Sequence, residues 1–181
     1  MPKASQTFIV AVAPVCLRAM GRSRDAQRDL HALGLAIQQT PADVEALEVT
    51  GRFIGRALLG YEKGTVFEPI TWIGGDDHVA CVAGGGSLPK ECRGSLASAL
   101  AQARAISFRE SRWPVAARAL KATHAEPPAF VLAGMLLGAM YGPRSFSPLP
   151  PNARALAALA ERLLQSSPVD MDSPSGRSRS R

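Results

Sequence analysis

Aromatic residues are scarce in this sequence, at 6% of its 181 positions, although 46% of the residues are hydrophobic. A core with so few rings must be filled mainly by alanine, leucine and valine. Alanine and leucine are also the strongest helix formers, so the composition favours packed helices. A chain of this length can bury one self-sufficient core. We therefore expect an all-α, single-domain bundle of about six helices.

Cysteine is also rare, and the three residues Cys16, Cys81 and Cys92 form no CxxC pair. An odd, widely spaced set argues against a disulfide framework or a zinc site and favours reduced thiols in a cytoplasmic protein. Cys16 and Cys81 lie in apolar runs, so we interpret both as buried and unreactive thiols.

Long hydrophobic runs are missing. No segment approaches the ~20 apolar residues needed to cross a bilayer, and the short apolar stretch at 8–15 lacks the features of a secretory signal. We predict no membrane partner. The net charge is +6, but three arginines fall within the last five residues. This distribution favours a solvated basic tail over a nucleic-acid groove.

Helical spacing of apolar residues defines the predicted domain. It begins with a hairpin: one helix over 23–37, then a second in which Thr40 caps, Pro41 takes the first helical position and Asp43 lies at the positive end. Gly51 marks a close approach between the two helices. We predict a helical domain over 8–165, with disordered ends at 1–7 and 166–181.

The segment 61–93 is rich in glycine and proline, and we predict loops there with a short strand or helix over 79–83. Ser95 can cap the next helix. The run 107–110 has the form of a capping box for another helix, which Pro114 requires to start late or to bend. An apolar run over 128–141, ended by Gly142, predicts the central buried helix. Gly134 and Gly138 would let a neighbouring helix pack closely on it.

A last amphipathic helix is predicted from Asn152, with its leucines facing inward. The inward positions are Leu156, Leu159 and Leu163.

Several segments, in order along the chain, resemble the ADP-ribosylglycohydrolase family. The most specific is 133–142, which matches the family's Ala-Gly-x-x-x-Gly-Ala-x-Tyr-Gly signature and is followed by Pro150 in its usual zone. Four shorter segments resemble the family's Ala-Pro segment, its Thr-His-x-x-Pro segment, its Leu-x-x-Ala-Leu helix and its Ser-Phe-Glu-Glu start: 10–15, 35–45, 93–100 and 107–110. The resemblance spans the later part of the family, over roughly 8–165, and implies the same helical fold.

The departures from this family concern its metal site. Members bind two magnesium ions through an early Asp-Asp-Thr motif, which this chain lacks, and a late Gly-Gly-Asp-x-Asp-Thr motif. The late motif aligns with 123–128, where Ala125 and Pro127 occupy the two aspartate positions. Neither side chain offers the oxygen that magnesium requires. Glu126 is interpreted as a helix-start acid, and the family's histidine falls near Gln38. The resemblance therefore implies magnesium as the family cofactor, which we expect not to be bound here.

A second segment, 74–84, also resembles the late motif but is shorter by one residue. It makes Asp76 and Asp77 the candidate metal ligands, with His78 beside them as a possible ligand or base. The alternative is a solvated turn, because neighbouring residues point in different directions and one cluster supplies few ligands.

The glycine-rich turn that follows supplies the candidate substrate-binding residues, since backbone amides can cradle a phosphate. They are Gly84, Gly85, Gly86 and Ser87. No lysine directly follows the last glycine of this turn, as it would in a P-loop.

The remaining candidates are weaker. His31 is expected at a helix surface, and His124 is placed to pair with Glu126. Trp72 and Trp113 are expected to pack at the core or its edge rather than to stack on a ligand.

Three functional hypotheses follow. The first is an ADP-ribosylglycohydrolase-like protein, whose family reaction is hydrolysis of ADP-ribosyl N-glycosidic bonds on modified proteins, with weak or absent activity because metals are needed to activate water. The second is a non-catalytic module that binds ADP-ribose, an ADP-ribosylated protein or another protein. The third is a fragment that needs a separate piece to supply the missing acids.

Overall fold

The computed structural model describes residues 9, 12–18, 23–36, 40–71, 75–88 and 94–148, and the single positions 155, 158 and 162. These residues form an all-α fold of eight helices without a strand, as the composition predicts. The predicted disordered ends at 1–7 and 166–181, Trp72, Cys92 and the leucines of the last helix lie outside the described residues. No helix within these ranges is both long enough and apolar enough to cross a membrane.

The helices follow one another along the chain with short connections. They are α1 (Val12–Arg18), α2 (Ser23–Ala36), α3 (Pro41–Leu58), α4 (Lys63–Val66), α5 (Asp77–Ala83), α6 (Leu96–Arg109), α7 (Trp113–Ala122) and α8 (Pro127–Tyr141), followed by a 3-10 turn (Gly142–Phe146). Five of the six expected helices correspond to α2, α3, α6, α7 and α8. The three additional helices are α1, which was not predicted, and α4 and α5, which form within the glycine-rich segment. Ala155, Ala158 and Arg162 are also helical and exposed, which fits the outer face of the predicted last helix.

The hairpin of α2 and α3 forms as its sequence signals predict. Thr40 is the N-cap of α3, and its side chain accepts a hydrogen bond from the amide of Asp43. Gly51 is buried against Leu30 of α2, so the predicted close approach is confirmed. A second glycine, Gly34 on α2, lies against Val44 in the same interface.

Helix α3 is the central element of the bundle. It contacts α1, α2, α4, α5, α6 and α8. Phe53 and Leu47 are fully buried on it. Its polar residues must therefore find partners inside the protein, and Thr50 donates its hydroxyl to the carbonyl of Ala46 at 2.8 Å.

Helices α6 and α8 pack against each other on the other side of α3. Leu100 and Ala103 of α6 and Leu132 and Leu136 of α8 are fully buried, as expected for α8 from its apolar run. Gly142, with φ 62°, ends α8 where the sequence places its stop. The predicted N-cap Ser95 of α6 accepts a hydrogen bond from the amide of Ser98.

The predicted capping box at 107–110 is wrong. Ser107 is fully buried inside α6, which continues to Arg109. The next helix, α7, begins at Trp113 after the N-cap Arg112, and Pro114 lies in its first turn. Ile106 and Ser107 are buried against the core, and this burial extends α6 past the serine. Of the two alternatives for the next helix, a late start or a bend at Pro114, the structure shows the late start.

Other local predictions also change. The strand alternative at 79–83 is wrong, because these residues belong to α5. Gly134 and Gly138 face the aromatic rings of Trp113 and Phe146, which fill the space expected for a helix backbone. The two ring centres lie 6.0 Å apart, so Trp113 packs at the core edge as predicted.

The two described thiols differ. Cys16 is buried beside Gly51, as predicted, and burial raises the pKa of its thiol to about 12. Such a thiol stays protonated and unreactive at neutral pH. Cys81 is only half-buried, which corrects the prediction, because it lies in the last turn of α5 and its Sγ donates to the carbonyl of Ser87.

Replacing Gly34 by alanine is expected to lower the free energy of unfolding by about 1–3 kcal/mol. The new Cβ would lie 2.6 Å from Cγ2 of Val44, and a buried β-branched side chain has little rotamer freedom with which to move away. Gly55→Ala is the matched control, because Gly55 lies in α3 with no atom within 4 Å of its Cβ position. It is expected to stabilise by about 0.5–1 kcal/mol. Urea unfolding measures both, and equal effects would contradict the close approach.

Candidate functional site

The starts of α3, α5, α6 and α8 meet at one end of the bundle. There, carboxylates of one helix accept hydrogen bonds from backbone amides at the start of another. Glu45 of α3 accepts hydrogen bonds from the amide of Gly75 at 2.9 Å and that of Asp76 at 3.2 Å. Because amides at a helix start have no partner within their own helix, these contacts anchor the beginning of α5 on α3.

Two more carboxylates complete this arrangement. Asp43 of α3 accepts from the amide of Leu96 at 3.4 Å, and Glu126, the N-cap of α8, accepts from the amide of Gly94 at 2.6 Å. We call the surface formed by Asp43, Glu45, Asp76 and Glu126 the carboxylate end. Acidic groups there are favourable because they face the positive ends of four helices.

The two candidate metal ligands serve different roles at this end. Asp76 is the N-cap of α5, and its Oδ1 accepts from the amide of Val79 at 2.9 Å. Asp77 lies in the first turn with its side chain exposed. The His78 Nδ1 atom is 3.9 Å from Asp76 Oδ1, beyond hydrogen-bonding distance. The two neighbouring aspartates therefore differ in exposure, and only Asp76 is tied to the helix start.

The carboxylate end does not offer a preformed magnesium cage. Among the described residues, no three His, Cys, Asp or Glu side chains group so as to hold a metal ion. Glu45 directs both oxygens at amides, and Asp76 uses one for its cap. Magnesium needs near-octahedral oxygen ligation, which this set does not fit. That magnesium is not bound stays a prediction.

The candidate substrate-binding turn lies at the other end of α5. With seven residues, α5 is about 10 Å long, so it separates Asp76 from Gly84. The amides of Gly84, Gly85 and Gly86 donate to the carbonyls of Ala80, Val82 and Cys81 at 2.8–3.1 Å.

Gly85 has φ +89°, and this pattern is a C-terminal helix cap of the Schellman type. The amides proposed to cradle a phosphate are therefore already donated to α5. Binding by Gly84, Gly85, Gly86 and Ser87 stays a prediction, and it would need donors other than these three amides.

Such a donor, which the sequence did not reveal, lies beside the turn. Arg104 of α6 brings its guanidinium to Gly85, where a Cβ would lie 3.1 Å from Nη2. Nη2 donates to the carbonyl of Phe67 at 2.7 Å. Burial lowers the pKa of Arg104. An arginine on a helix face has no local sequence signal for such a contact, because the contact depends on the packing of α5 against α6.

A second polar cluster joins α2 and α3. Glu48 is 7% exposed, and its two carboxylate oxygens lie 2.8 Å from His31 Nδ1 and 2.8 Å from Gln27 Nε2. Arg52 donates to the side-chain oxygen of Gln27. His31 is exposed, as expected, but its partner was missed. A signal was present, since Glu48 follows Val44 by four residues on the apolar face of α3.

The remaining candidates have structural roles. Glu126 does not hydrogen-bond His124, contrary to prediction, because its carboxylate reaches Gly94. His124 is exposed with φ 52° and ends α7 in a second Schellman-type turn. Ala125 and Pro127 flank the N-cap of α8.

No protein-family model, curated protein or solved structure matches this chain. The resemblance to ADP-ribosylglycohydrolases therefore stays a prediction that rests on the motifs alone.

Replacing Asp76 by alanine is expected to lower the free energy of unfolding by about 1 kcal/mol, because the amide of Val79 loses its acceptor. Asp76→Asn keeps a side-chain oxygen and is expected to lower the free energy of unfolding by only a few tenths of a kcal/mol. Asp77→Asn is the control at the exposed neighbour and should change stability little. Denaturant unfolding of the three variants measures this order. If asparagine at 76 is as damaging as alanine, the capping role is wrong.

Proposed function

We propose that this chain is an ADP-ribosylglycohydrolase-like helical domain that recognises ADP-ribose, free or on a modified protein, with weak or absent hydrolysis. The observation that supports it best is that the carboxylates at the carboxylate end accept hydrogen bonds from backbone amides. Asp76, one of the two candidate metal ligands, uses one oxygen to cap α5. Glu45 beside it directs both of its oxygens at backbone amides. A carboxylate that caps a helix has fewer oxygens to offer a metal.

The position of the family signature also supports the proposal. The residues 133–142 lie in the second half of α8 and its terminal glycine, and α8 packs against both α6 and α3. In this chain the signature therefore supplies core packing through Ala133, Leu136 and Leu137, all fully buried. Ala125 and Pro127, at the two aspartate positions of the aligned motif, carry no side-chain oxygen. Without metal-activated water, the proposal leaves recognition as the activity to test.

A surface at the other end of α3 favours the second candidate, a module that binds another protein. Leu59, Tyr61 and Phe108 are each about half exposed. Phe108 contacts the ring of Phe67, and the Lys63 Nζ lies 5.4 Å from its centre. Exposed aromatic side chains are enriched in protein-binding surfaces.

Calorimetric titration with ADP-ribose tests the proposal, once with magnesium and once with a chelator. We expect the same binding in both, because no step of recognition is assigned to a metal. We also expect little or no release of ADP-ribose from a modified protein. The key variant is Asp76→Asn, which preserves the cap but is a poorer magnesium ligand.

Binding or release that requires magnesium and is lost in Asp76→Asn would contradict the proposal and make the carboxylate end a metal site. Absence of ADP-ribose binding under both conditions would also contradict it and would favour the protein-binding module.

A further inference from the structure

Arg104 places a positive charge in a partly buried position, and no carboxylate among the described residues forms an ion pair with it. Its guanidinium lies 5.8 Å from the centre of the Phe53 ring. Its Nε atom is buried without a hydrogen-bond partner, and its Nη2 donates to the carbonyl of Phe67. The ion pairs formed by the described residues do not include Arg104. A guanidinium carries five N–H donors, so most of its capacity is unused within this part of the chain.

The end of α5 does not supply the missing acceptors. Each of its last four carbonyls, from Ala80 to Ala83, already accepts an amide: three from the glycine turn and one from Ile70 at 2.9 Å. No hydrogen bond from Arg104 reaches them. The dipole of a helix this short contributes only a partial negative charge.

Two further cations lie around the same segment. Arg56 donates through Nη1 to the carbonyls of Thr65 at 3.1 Å and Glu68 at 2.9 Å, next to the Phe67 carbonyl that Arg104 uses. Lys63 lies over the ring of Phe108. Arg56 and Arg104 thus bind carbonyls of the segment 63–68, which contains Lys63 and one carboxylate, the exposed Glu68. Positive charge that is partly removed from water favours a bound anion.

Gly85 lies directly against the guanidinium edge of Arg104. A side chain there would lie 3.1 Å from Nη2 and 3.3 Å from Nη1, and the backbone φ of +89° also favours glycine. Gly84, Gly85, Gly86 and Ser87 are all exposed. An anion arriving at this turn would therefore meet two guanidinium nitrogens, a geometry suited to phosphate oxygens.

We propose that Arg104 and the exposed turn at Gly85 form a binding site for a phosphate-class anion. Its assignment to the diphosphate of ADP-ribose rests on the proposed function, whereas the anion site itself does not. The site is separated from the carboxylate end by the length of α5, about 10 Å. It therefore adds an anion-binding group to the proposed recognition of ADP-ribose without involving the capping acids.

Calorimetric titration with inorganic pyrophosphate, inorganic phosphate and ADP-ribose in metal-free, low-salt buffer tests this site. We expect pyrophosphate to bind the wild-type protein more weakly as salt is raised. Arg104→Gln should weaken pyrophosphate binding by about 10- to 100-fold, the effect of removing a charged hydrogen-bond donor. Arg118→Gln is the matched control, because Arg118 is exposed on α7 and, among the described residues, donates only to Pro114 of its own helix.

Pyrophosphate binding that is absent in the wild type, or unchanged in Arg104→Gln, overturns the proposal. If circular dichroism shows that Arg104→Gln does not fold, Arg104→Lys takes its place. Lysine keeps the charge but not the paired donors, so it should bind several-fold more weakly, and binding equal to wild type overturns the proposal.

The ADP-ribose titration separates this site from the proposed function. If pyrophosphate binds through Arg104 but ADP-ribose does not bind, the anion site stands and the proposed function fails. If ADP-ribose binds equally well to the wild type and Arg104→Gln, the proposed function stands and the assignment of this site to the ADP-ribose diphosphate fails.

Discussion

Burial of α3 on most of its sides is the constraint on which the rest of the bundle depends. Six helices contact it, so any polar group along its length must be satisfied within the protein. Glu48 is satisfied by His31 and Gln27 of α2, and Thr50 by a carbonyl one turn earlier. These contacts fix the position of α2 on α3. Gly34 of α2 and Gly51 of α3 allow the two helices to pack closely.

The same helix organises the carboxylate end. Asp43 and Glu45 in its first turns accept amides from the starts of α6 and α5. Each contact satisfies an amide that its own helix leaves unpaired. Asp76, one of the two acids that suggested a metal site, lies at the same end and accepts the amide of Val79 within its own helix. The acidic residues at this end, apart from the exposed Asp77, therefore have structural roles as hydrogen-bond acceptors.

The boundaries of α2, α3 and α8 and the start of α6 were predictable because their signals are local. Thr40 and Pro41 determine the start of α3 and Gly142 the end of α8, through backbone geometry that neighbouring residues alone dictate. The capping box at Ser107 failed because burial in the core outweighed a local preference. At the candidate sites, the cap formed by Asp76 could be predicted from the sequence. The contacts of Glu45 with Gly75 and of Arg104 with Gly85 could not be predicted, because they depend on how distant helices pack.

Thermal unfolding with and without magnesium, at matched ionic strength, tests most directly whether the carboxylates act as caps. A ligand at free concentration c that binds the native state raises the free energy of unfolding by RT ln(1 + c/Kd), so the unfolding temperature rises with the logarithm of the ligand concentration once that exceeds Kd. The capping role predicts no magnesium-specific rise, either in the wild-type protein or in Asp76→Asn. A rise in the wild type that Asp76→Asn abolishes would contradict it and would identify Asp76 as a metal ligand.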